Sequence, residues 1–263
     1  MPQDPTKADI EKALKKLKRP PQPHNLVRGI REGVMETAKE QAKLALNFPR
    51  HTYLPGSRIT KDVMILGLDR TSAIRAAQRS KPVLSRAINE EYVASFCDES
   101  HDLGLLGRTT FEVPCLRYRV SSQVSVPIRP TTAILEGGRF RVIMQTGWAT
   151  MPLTLFNRRL MFSVLEDGLF SLEDFRDAHG EFICFPRERA HIAGTRKAMV
   201  MRRGDYKLLS KADLKEVLDM YMKGLALAEV MLRDMTTTEP QPDKRDEQHP
   251  SLFDTLPIFD QPK

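Results

Sequence analysis

The chain has 263 residues, 41% of them hydrophobic, which is enough to bury a sizeable core. No stretch approaches the roughly 18 consecutive apolar residues of a bilayer span, and Met1 to Lys18 is too polar for a secretory signal, so a cytoplasmic protein with no membrane contact is expected. The net charge of +7 is unevenly spread: Thr236 to Lys263 holds three basic and six acidic residues, a net of −3, which leaves +10 on the remainder and favours a polyanionic partner.

In chain order, Ala13, Leu14 and Leu17 stand among lysines behind Asp9, a possible N-cap, and the run stops at Pro20-Pro21-Gln22-Pro23. This predicts a short basic helix and a stiff linker. Leu26, Ile30, Val34, Ala38 and Ala42 then recur at helical spacing up to Phe48, and Pro49 and Pro55-Gly56 read as breakers. Asp69 or Thr71 can cap a helix through Ala77, and Ser80 a second one with Pro82 in its first turn; the pair has the outline of a helix-turn-helix.

From Val113 the period changes to two, with Leu116, Tyr118 and Val120 alternating with Arg117 and Arg119, and Val124, Val126 and Ile128 with polar neighbours. Gly137-Gly138 suits a tight hairpin between segments 131–136 and 139–145. An apolar helix over 153–165, a shorter one capped by Ser171, and a strand over 181–185 follow. Ser210 and Asp213 open the clearest helix, whose apolar face runs through Leu214, Val217, Leu218, Tyr221, Leu225, Ala228 and Leu232.

These elements predict an α+β fold: N-terminal helices, a central antiparallel sheet of about four or five strands, a long C-terminal amphipathic helix and a disordered tail. The expected organisation is a basic segment and Pro-rich linker over 1–23, one α+β body over 24–235, and an acidic tail carrying a short linear motif over 236–263.

Little in the sequence speaks for catalysis. Cys97, Cys115 and Cys184 are odd in number and scattered, which argues against a disulfide framework or a thiolate zinc site. The carboxylates between Glu166 and Glu181 lack the alternation of a calcium loop, and no phosphate-binding glycine loop or serine-hydrolase elbow is present. A metal-dependent nuclease needs hairpin carboxylates with a lysine two residues beyond the second; Glu136 is on the hairpin, but the matching stretch reads Ile143-Met144-Gln145-Thr146-Gly147. No metal or cofactor is expected.

Arginine is the stronger signal. Shared strand parity places Arg117 with Arg119, and Arg139 with Arg141, on an outward sheet face, while Arg187, Arg189, Arg196, Lys197, Arg202, Arg203 and Lys207 cluster before the last helix. Such cations could track a phosphate backbone, with Tyr118, Trp148 or Tyr206 stacking on bases. In the tail, Ser251-Leu252-Phe253 resembles the bacterial sliding-clamp-binding peptide, whose usual form is Gln-Leu-Ser/Asp-Leu-Phe. His249 and Pro250 stand where that form has glutamine and leucine, and Ile258-Phe259 offers a second pair of anchors. The resemblance implies a sliding clamp as partner, bound through Ser251, Leu252, Phe253, Ile258 and Phe259.

The combined expectation is a nucleic-acid-associated, non-catalytic protein of bacterial DNA replication, repair or mobile-element maintenance. The alternatives are a nuclease-like or other enzyme of a defence or toxin system, and a protein–protein interaction module.

Overall fold

A computed structural model describes residues 5–47, 52–189, 194 and 196–237. The first helix, α1 (Lys7–Leu17), is capped by Thr6, whose hydroxyl accepts from the Asp9 backbone while Asp9 reaches back, so Asp9 is the third helical residue rather than the cap. The helix read from Leu26 onward is interrupted. Pro23–Leu26 and Val27–Gly29 form single turns, and α2 (Val34–Leu46) starts after Gly33. The break is held by the Thr37 hydroxyl, which accepts from the Arg31 backbone 3.0 Å away.

The helix α3 (Leu54–Leu66) begins where the sequence suggested a stop. Proline in a first helical turn loses no hydrogen bond, so Pro55 starts this helix. Asp69 caps α4 (Arg70–Arg79), and Ser80 closes that helix instead of opening the next. A turn at Val83–Ser85 then leads into α5 (Arg86–Glu99). The pair α4–α5 packs with α3, and the buried side of α5, Tyr92, Val93 and Phe96, faces the sheet as core.

The main sheet contains β1 (Thr110–Phe111), β4 (Thr132–Glu136), β5 (Arg139–Thr146), β6 (His179–Cys184) and β7 (Met199–Arg202), in the order β1-β4-β5-β6-β7. The five strands meet the expected number, with β5–β6 parallel and the remaining joints antiparallel. The parallel joint arises because α6 (Leu155–Gly168), capped by Thr154, returns the chain to the starting end of β5 before β6 begins. Strands β2 (Leu116–Arg119) and β3 (Ser125–Ile128) form a separate two-stranded ladder.

Both faces of the main sheet are covered. Ile134, Ile143, Ile183 and Phe185 pack on α3–α5; Val142, Met144, Phe182 and Cys184 pack on α6, Val126 and Ile128. Double burial explains why β5 and β6 read as continuous apolar runs rather than alternating ones. The last helix, α7 (Lys211–Thr237), lays Ala228 and Leu232 against Ile10, Ala13, Ala38 and Ala42 of α1 and α2. Among the described residues, no helix is long and apolar enough to cross a membrane.

Candidate nucleic-acid interface

The two parallel strands end side by side, β5 at Thr146 and β6 at Cys184, and the chain leaves them through Gly147-Trp148 and Phe185-Pro186-Arg187. Open α/β sheets bind ligands outside such carboxyl ends. Here the loops are pinned together by charge. Glu91 of α5, only 12% exposed, accepts two hydrogen bonds from Arg187, at 2.7 Å and 2.6 Å, and lies 3.0 Å from Nε of Arg196. Burial works against ionising Glu91, but the two guanidiniums outweigh it and hold the carboxyl at about 2.

Arg196 is fully buried. It donates to the Gly147 and Ile88 carbonyls at 2.7 Å and 3.2 Å and stacks over Tyr53. Gly147 is required where it stands, since a Cβ there would come within 2.6 Å of both the Tyr53 and Tyr92 rings. Beneath this cluster Gln145 donates to Thr60 over 2.6 Å, and its buried carbonyl oxygen has no partner among the described residues. Burial pushes the Cys184 thiol up to about 12, with Arg158 pulling only partly the other way.

The end as a whole is positive. Arg158, Arg187, Arg189, Arg196 and Lys197 stand there against Glu91 and Glu188, with Arg189 and Lys197 exposed. The half-buried Tyr53 adds aromatic surface, whereas Trp148, under Arg28, is packed in the core against Phe182 and is not open to stacking on bases.

The sequence matches no protein-family model and no curated protein. The crystal structure of SSO0001 is similar over 70% of this chain and 83% of its own, at 13% identity and a TM-score of 0.31. That likeness is too slight to assign a family or an activity.

Of the cations singled out from sequence, Arg187, Arg189, Arg196 and Lys197 lie at the carboxyl end. Arg139, Arg141, Arg202 and Arg203 are at the opposite, hairpin end, where carboxylates match them. Arg141 is 12% exposed and reaches Glu181 at 2.6 Å and Glu136 at 3.4 Å. Arg202 also binds Glu181, and Arg203 grips Glu166 while donating to the Arg176 and Ala178 carbonyls. Arg139 is exposed beside Glu136. Arg117 and Arg119 do not share a sheet with Arg139; they are exposed on the β2–β3 ladder, tied to the end of α6 through Tyr118 beside Asp167. Tyr206 stacks on Phe162, so its ring is engaged in packing. Glu91 was missed, because its pairing with Arg187 joins residues 96 positions apart that no local pattern links. Ser251, Leu252, Phe253, Ile258 and Phe259 lie outside the described residues.

Proposed function

We propose that the body is a non-catalytic nucleic-acid-binding module whose contact surface is the carboxyl end of β5–β6, and that the tail docks it to a sliding clamp in bacterial DNA replication, repair or mobile-element maintenance. The observation that carries the body's role is the excess of five cations over two carboxylates around the Glu91–Arg187–Arg196 cluster. Guanidiniums held in place lose little freedom on meeting phosphate oxygens, and Arg189 and Lys197 stand exposed beside them. Arg196 acts as the buried support.

The non-catalytic part of the reading is supported by the chemistry of the side chains. Glu91 is already saturated by two guanidiniums, and the stretch 143–147, where the nuclease arrangement needs a lysine, holds none, with the Gln145 amide bonded to Thr60. Glu136 and Glu181 on the sheet are likewise bound to arginines.

Titrating the full chain against labelled single- and double-stranded DNA tests the proposal. Affinity is expected to fall by orders of magnitude between about 50 and 200 mM salt, as counterion release dictates. No binding of DNA or RNA at the lower salt would remove the reading. Cleavage of the same DNA on adding Mg²⁺ would replace it with the nuclease alternative.

A further inference from the structure

A cavity of about 500 Å³ opens between α1, the turns at 23–29, α2 and α7. Its volume falls in the range of pockets that enclose a ligand. One wall is apolar, formed by Leu17, Tyr221 and Leu225, and the rim carries Lys16, Arg19 and Arg28. Among the described residues that line it there is no carboxylate. An occupant must therefore bring an apolar group and a negative charge together.

The chain contains that chemistry. Beyond Thr237 the sequence holds Leu252-Phe253-Asp254 and Ile258-Phe259-Asp260, apolar pairs each followed by a carboxylate, in a segment of net −3, while the rest of the chain carries +10. Reach is no obstacle. Leu225 lies about 18 Å back along α7 from Thr237, and the 16 residues from Thr237 to Phe253 span up to about 50 Å.

We propose that this cavity holds the chain's own tail, with Leu252 and Phe253 against Leu17, Tyr221 and Leu225 and Asp254 against Arg19 and Lys16. The inference rests on reading Leu252 and Phe253 as docking anchors, as the proposed clamp contact does, but it assigns them a competing site. A tether of this length gives an effective concentration on the order of 1 mM, so an intrinsic Kd of about 0.1 mM would keep roughly nine tails in ten docked. A partner seeking the same residues would then meet an apparent affinity about tenfold weaker.

The test places the photo-crosslinking amino acid benzoylphenylalanine at position 253 of the full chain and maps the crosslinks by mass spectrometry at low protein concentration. Crosslinks within one molecule to residues 7–19, 34–47 or 211–237 are expected, and Arg19→Glu, at an exposed position, should cut their yield severalfold. Crosslinks that are absent, scattered over the body or formed only with a second copy would overturn the proposal. Clamp binding measured on the unmodified chain separates the two readings, because it can persist when self-docking fails and fail when self-docking holds.

Discussion

His24 and Glu91, both largely withdrawn from water, contribute to the pH dependence in different windows. His24 packs against Trp148 and Phe182, and burial, helped by Arg28, lowers its pKa from 6.5 to about 4. Above pH 6.5 it is neutral in both folded and unfolded chains and contributes nothing to the pH dependence. Between 6.5 and 4 the unfolded chain takes up a proton that the folded one refuses, so stability falls as pH falls, by up to about 3 kcal/mol. Thermal midpoints from pH 7 to 4.5 should show that decline, and His24→Phe should flatten it; an unchanged slope would mean that other groups cause it. Glu91 acts lower, since its stabilisation is complete above 4.5 and is lost as pH falls toward 2. Glu91→Gln leaves Arg196 buried without its counter-charge and should cost about 3–5 kcal/mol in urea unfolding, whereas breaking a surface pair such as Arg233–Glu229 costs about 1 kcal/mol or less.

At the scale of elements, Gly137 and Gly138 have φ of 56° and 78°, the conformation of the tight hairpin that their sequence predicts. Gly138→Val should therefore destabilise by about 1–2 kcal/mol, read from the urea midpoint at constant m-value. That hairpin and the apolar face of α7 follow from local pattern, and local pattern is what a sequence displays. Other elements were hidden for physical reasons. Pro55 looked like an interruption because proline stops a helix in its interior but starts one in its first turn. The parallel pairing of β5 with β6 depends on where α6 delivers the chain, and the alternation of β2 and β3 does not tell which sheet they join.

At the scale of the molecule, strand parity correctly put Arg117 and Arg119 opposite Tyr118, but parity says nothing about which end of a sheet a residue occupies or which carboxylate it meets. Three of the candidate cations, Arg141, Arg196 and Arg203, bind inside the fold. Reversing Arg203 should thus unfold the protein rather than report on ligand binding, because its guanidinium joins Glu166 to the chain entering β6. Lys197, with Arg189 beside it at the carboxyl end, stays exposed, as do Arg117 and Arg119 on the separate ladder.

The most direct measurement is the affinity of the full chain for a short labelled DNA at about 50 mM salt, compared between two exposed charge reversals that leave the buried pairs intact. Arg189→Glu with Lys197→Glu, at the carboxyl end, should weaken binding at least about tenfold on every sequence and lower the salt slope, while Arg117→Glu with Arg119→Glu, on the separate ladder, should change it by less than about threefold. Equal losses from both pairs, or a loss from the ladder pair alone, would contradict the assignment of the interface to the carboxyl end of β5–β6.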